Sequence, residues 1–108
     1  MAKVKITVVK KLDTHEMFGE TPPAPYAHAS VCGRFAVGQE FESEGECPPN
    51  FCNWAFADIQ RDIISILKGA NYEWIGRKGM AVSCCTDGLH PVIFTVERVE
   101  EAPAAQRT

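Results

Sequence analysis

Between Pro48-Pro49 and Gly69 lies one long stretch of helical periodicity, and it decides most of what the rest of the chain can be. Phe56, Ile59, Ile63, Ile66 and Leu67 fall at i, i+3, i+7, i+10 and i+11, a single apolar stripe. Asp58, Arg61, Asp62 and Lys68 fall largely off it. The spacing predicts a helix over about 53–68, beginning near Cys52-Asn53. Gly69 is placed to end it, because glycine takes the left-handed conformation past a helix terminus at little cost. Each stripe side chain gains about 1.5–3 kcal/mol on burial, and no second helix is in view to receive it. The helix must cover a sheet.

The strands that could form that sheet are legible from their period of two. From Lys3 to Lys11, Val4, Ile6 and Val8 alternate with Lys3, Lys5 and Thr7. Gly38 to Glu44 reads as a turn and a short strand, with Glu40, Glu42, Glu44 and Glu46 on one face. That row is expected to be solvated, with Lys3 and Lys5 offsetting its repulsion across the sheet; a cation-binding row is the alternative.

Asp87-Gly88, between Met80-Ala81-Val82 and Val92-Ile93-Phe94, is a strong hairpin signal. A two-residue turn there makes strands of Met80–Cys85 and His90–Val99 and pairs Cys85 with His90, Ser83 with Val92 and Ala81 with Phe94. Cys85, Ser83, Ala81, His90, Val92, Phe94 and Val96 then share the core face. Cys84 points to the opposite face with Val82 and Ile93.

The predicted fold is α+β, in the order β-β-α-β-β. An antiparallel sheet of about four strands carries the helix on one face and ends in the hairpin, with the first and last strands as neighbours. Residues 13–30 form a loop-rich insertion, and residues 102–108 a frayed tail on a single domain spanning 1–101. Tyr72 and Trp74, in the connector 71–78, are expected to close over one end of the core.

Eleven Lys+Arg against fourteen Asp+Glu leave a net charge of −3, which argues against a nucleic-acid binder. Neither an export signal nor a membrane span is visible, so a cytoplasmic protein is expected. Five cysteines (32, 47, 52, 84 and 85) are many for 108 residues. An odd count in a reducing compartment points away from disulfides, toward buried thiols, a metal site or redox chemistry.

Cys52 sits at the start of the helix, where the end of the dipole favours a nucleophile or metal ligand. Cys85 lies on the helix-facing side of the hairpin and Cys32 in the loop-rich stretch. Cys32, Cys52 and Cys85, with Cys47 or a histidine, form a candidate set for an iron–sulfur cluster, zinc or copper(I). The alternative is a small-molecule or thiol-catalytic pocket between helix start and hairpin, with Trp54 as a wall and His90 beside Cys85. A third reading is a structural subunit of a homo-oligomer or larger enzyme, its thiols buried as small hydrophobes. His15 and His28 lie in loops and carry no pattern. Neither a phosphate loop nor a dinucleotide fingerprint is present, and no motif names a reaction.

Pro48-x-x-Phe51-Cys52-x-Trp54-Ala55-x-Ala57-Asp58-Ile59 and Cys85-x-Asp87-Gly88-Leu89-x-Pro91-Val92-x-Phe94 resemble the motifs of a family of small uncharacterised proteins from anaerobic bacteria and archaea. Those proteins have a "VKITVLKK"-like first strand, a cysteine before a "GxxF" turn, a "GFCxWAWxDI"-like helix start and a "CxDGLRPVxF"-like hairpin. The resemblance covers the chain apart from the loop near 13–27 and the tail. It implies that the recurrent cysteines are Cys32, Cys52 and Cys85, with Cys47 and Cys84 as additions. Where the family motif has arginine this chain has His90, which implies an anion-binding or rim-packing side chain there. Cys32, Cys52 and Cys85 are therefore expected to form or flank the functional site.

Overall fold

The computed structural model describes residues 2–23 and 31–100. Four strands, β1 (Ala2–Lys11), β2 (Glu40–Ser43), β3 (Met80–Cys84) and β4 (Val92–Glu100), form an antiparallel sheet in the order β2-β1-β4-β3. The long first and last strands are the central pair, as the sequence predicts. Helix α2 (Asn53–Leu67) lies across one face, and the fold is α+β.

The core follows from the two periodicities. Val4, Ile6 and Val8 from β1, Ala81 from β3, and Val92, Phe94 and Val96 from β4 meet Ala55, Ile59, Ile63 and Ile66 of α2, all buried. Phe35, Phe41, Phe51 and Phe94 fill one end, their ring centroids 4.8–5.8 Å apart and mostly edge-on, as aromatic quadrupoles prefer. Across the sheet, Lys3 meets Glu42 at 3.0 Å and Lys5 meets Glu40 at 3.8 Å. The expected glutamate row stops at Ser43, beyond which Glu46 folds back to accept the Glu44 amide.

The start of α2 is set by Pro48-Pro49-Asn50-Phe51. The Phe51 amide donates to the Pro48 carbonyl at 3.2 Å, and Asn50 takes φ 64°, closing a turn that proline initiates and asparagine tolerates. That turn drives Phe51 into the core and leaves Cys52 as the N-cap residue. Gly69, at φ 101°, follows the helix end as expected.

Several expectations are corrected. Residues Thr14–Phe18 of the presumed loop form a short helix, α1, started by a capping box of Asp13 and Glu16. Residues 24–30 of the insertion, including His28, and the tail 102–108 lie outside the described residues. His15 is an exposed residue of α1. Asp62, read as lying off the apolar stripe, is buried and accepts a hydrogen bond from the Tyr72 hydroxyl at 3.0 Å. Trp74 does not close the core: it is 78% exposed and stacks on Tyr72.

The hairpin differs most. Ser83 pairs with Phe94 rather than Val92, and the Cys85 amide donates to the Val92 carbonyl at 3.1 Å rather than pairing with His90. Neither Asp87 nor Gly88 takes a positive φ, so the tight Asp-Gly turn is absent. Instead the Asp87 carboxylate accepts the amides of Leu89 and His90, at 3.0 and 3.2 Å, and organises a wider loop over 86–91. The slip is an even two residues, so every side chain keeps its face: Ala81, Phe94 and Val96 are buried while Val82 and Cys84 are exposed.

Candidate functional site

The start of α2 and loop 86–91 stand apart at one end of the sheet and leave a cavity of about 510 Å³ between them. Phe35, Ala55 and Val92 supply apolar wall from the core, and Trp54 stands at the mouth, 66% exposed. Cys32, Cys52 and Cys85 all line this space, as does His90. The five residues singled out from sequence therefore meet at one cavity. Cys47 and Cys84 are not part of its lining, and all five cysteines are free.

Each thiol arrives by a different route. Cys52 caps α2, yet its side chain makes no capping hydrogen bond, and the first turn of the helix carries no acidic residue. Cys85 continues the core-facing row of β3, and its sulfur accepts the Val92 amide at 3.3 Å. The Cys32 sulfur accepts the Arg34 amide at 3.4 Å. Arg34 in turn donates to the Phe51 carbonyl at 3.0 Å, tying the Cys32 segment to the entry of α2. A β-bulge at Val9 turns Lys11 rather than Lys10 inward, where it donates to the Phe35 carbonyl at 2.7 Å.

Three anchors hold loop 86–91. Asp58 on α2 accepts the Thr86 amide at 2.7 Å and its hydroxyl at 2.9 Å, and the Trp54 indole donates to the same hydroxyl at 3.3 Å. The buried Thr14 of α1 donates to the Leu89 carbonyl at 2.6 Å. The Leu12 amide, just past β1, donates to the Pro91 carbonyl at 2.8 Å.

Within the loop, Asp87 lies 3.3 Å from Nδ1 of His90. Partial burial pushes the Asp87 carboxyl up, but the Leu89 and His90 amides and the His90 ring outweigh it and hold it below the ordinary value. His90 Nε2 is the one buried side-chain nitrogen or oxygen among the described residues without a hydrogen-bond partner. The two thiols outside the cavity are perturbed in the other sense. Burial pushes Cys47 up, with Cys52 adding and Arg34 opposing. Burial, then Cys85, then Asp58 push Cys84 up.

Sequence reasoning missed Asp58, Thr86 and Phe35 as parts of the site and took Asp87 for turn chemistry alone. The signal for Asp58 was its position four residues after Trp54, which puts both on one helix face. Among the described residues, no group of three or more His, Cys, Asp or Glu side chains is disposed to hold a metal ion. No helix among the described residues is long and apolar enough to cross a membrane. No family model, curated protein or solved structure matches the chain.

Proposed function

We propose that the cavity between the start of α2 and loop 86–91 binds a small, largely apolar molecule and brings it against a reactive thiol. The supporting observation is the gathering of Cys32, Cys52 and Cys85, with Trp54 and His90, on one apolar-walled cavity of about 510 Å³. Small-molecule sites typically enclose about 300–1,000 Å³ and combine apolar walls with a few polar groups. The three thiols on the wall are the three that the motif resemblance marks, while its two additions stand outside.

Monobromobimane, a small apolar electrophile, tests this reading. At limiting reagent and neutral pH, the native protein should carry the label on Cys32, Cys52 or Cys85, while the unfolded chain labels all five. Native labelling confined to Cys47 and Cys84 sinks the proposal.

A second reading draws on the same convergence. Three thiolates suit zinc, copper(I) or an iron–sulfur cluster, in the service of electron transfer or as an accessory to a larger enzyme. It requires Cys32, Cys52 and Cys85 to turn toward a shared centre. Visible absorption and stoichiometric metal after anaerobic purification would support it, and a colourless, metal-free protein would count against it.

A further inference from the structure

We propose that Cys52 is the nucleophilic thiol of the cavity and that His90, held by Asp87, is the base that takes its proton. The inference rests on reading the cavity as a thiol site and goes on to assign the roles within it.

Asp87 faces the His90 ring. Its Oδ1 is committed to the amides of Leu89 and His90, so its Oδ2 is the oxygen left facing His90 Nδ1, at 3.3 Å. A carboxylate only accepts, so Nδ1 carries the ring proton and the lone pair of the neutral imidazole lies on Nε2. That nitrogen is buried and without a partner. A buried acceptor left unserved costs free energy, and bulk water does not reach this one. His90 belongs to the cavity lining, so the donors nearest to hand are those of the other lining residues.

The wall offers few. The Thr86 hydroxyl is bound to Asp58. The sulfurs of Cys32 and Cys85 each accept a backbone amide, of Arg34 and Val92, which fixes them in positions from which neither serves Nε2. Cys52 makes no capping bond, so its sulfur is free to swing about χ1 to a different position on the cavity wall. It also sits at the first turn of a 15-residue helix, whose leading amides have no intrahelical acceptor and meet the negative charge that proton transfer leaves on sulfur. Nucleophile, base and orienting carboxylate thus belong to one cavity, the arrangement from which activated thiols are built.

The substrate class is a small apolar carbon electrophile. The S–H proton passes to Nε2, and the sulfur pair forms a C–S bond. The bond from carbon to its leaving group breaks, taking its electron pair with it. His90 then returns the proton to the leaving group or to solvent. Asp87 is a positioning residue, since it touches only the ring.

Alkylation of the full chain by iodoacetamide near neutral pH, followed site by site by mass spectrometry, tests the assignment. Cys52 should react at least about tenfold faster than Cys32 or Cys85, and His90→Phe should remove most of that advantage, base assistance being commonly larger still. The rates at the other two cysteines should stay within about twofold. Asp87→Asn keeps an oxygen for the two amides and turns its NH2 toward Nδ1, which moves the ring proton to Nε2. It should slow Cys52 in the same way, and the imidazole ¹⁵N spectrum should show Nε2 changing from bare to protonated.

An unchanged Cys52 rate in either variant, with native circular dichroism, overturns the proposal, as does a wild-type ring protonated on Nε2. Bimane on the cavity thiols with no dependence on His90 removes these roles and leaves the pocket standing. Bimane confined to Cys47 and Cys84 removes both.

Discussion

Cys84 is the one exposed thiol of the five, yet exposure and reactivity part company there. Its sulfur donates to the Cys85 carbonyl at 3.2 Å and has Cys85 and Asp58 for neighbours. Partial burial of the sulfur, then these two groups, push the thiol up. The thiolate is the reacting form. A raised group stays protonated at neutral pH, and its rate begins to level only beyond the pH at which an ordinary cysteine does. Alkylation at Cys84 should therefore climb about tenfold per pH unit from about pH 7 to 9 without levelling. Asp58→Asn, which removes one of the opposing charges, should raise the neutral-pH rate about two- to threefold. Mass-spectrometric rates at each site check both, and a plateau by about pH 8 contradicts the assignment. Cys52 and Cys85 were legible in the sequence because a helix start and a strand face both fix direction. Cys32 had only its place in the loop-rich stretch and the motif resemblance to mark it. Asp87 was not legible, because an Asp-Gly pair looks alike whether the aspartate shapes a tight turn or binds two amides and an imidazole.

Among the elements, the hairpin shows where local signals stop. Asp87-Gly88 marks the right place for the reversal but the wrong register, and Pro91 is part of the reason. A two-residue turn sets Pro91 opposite Cys84 inside the ladder, where proline has no N–H to give. In the observed arrangement Pro91 is buried outside the β3–β4 ladder, and its carbonyl serves Leu12. The capping box of α1 was present as Asp13-x-x-Glu16, and the glycines and prolines after it hid a helix of only five residues.

The end of α2 depends on a residue no local reading reaches. Arg98 of β4 donates to the Ile66 carbonyl at 2.8 Å and to Asn71 Oδ1 at 3.3 Å, tying the helix terminus to the sheet. Its guanidinium lies where a Cβ on Gly79 would stand 3.1 Å away, and Gly79 itself takes φ 70°. Arg98→Ala should cost about 2–3 kcal/mol, since charged donors contribute more than neutral ones. Arg98→Lys should recover less than half. Urea unfolding measures both, and a loss below about 0.5 kcal/mol from the alanine variant contradicts this role.

At the scale of the whole molecule, α+β class and the central pairing of first and last strands followed from one apolar stripe and two alternating segments. The cavity was expected only as an alternative, a pocket between helix start and hairpin with Trp54 as a wall. Phe35 and Thr86 were missed because they come from parts of the chain far from one another. Loop 86–91 is tied to α2 by Asp58 and Trp54, to α1 by Thr14, and to the end of β1 by Leu12. Thr14→Val keeps the shape of a fully buried side chain and leaves the Leu89 carbonyl without that donor. It should cost about 1–2 kcal/mol. Amide exchange over 86–91 should quicken at least about tenfold, while the middle of α2 slows or holds once corrected for global stability. Unchanged exchange in the loop would show that the tie does not restrain it.

That threefold tethering fixes when the site comes into being. Neither α2 nor the hairpin encloses the cavity alone; the wall closes only when Leu12 and Thr14 meet a loop made some seventy-five residues later, the span from Thr14 to Leu89. Until then Cys32 and Cys52 are ordinary thiols of an unfinished chain. The cavity those thiols line is a product of tertiary contact, present in neither the helix nor the hairpin taken by itself.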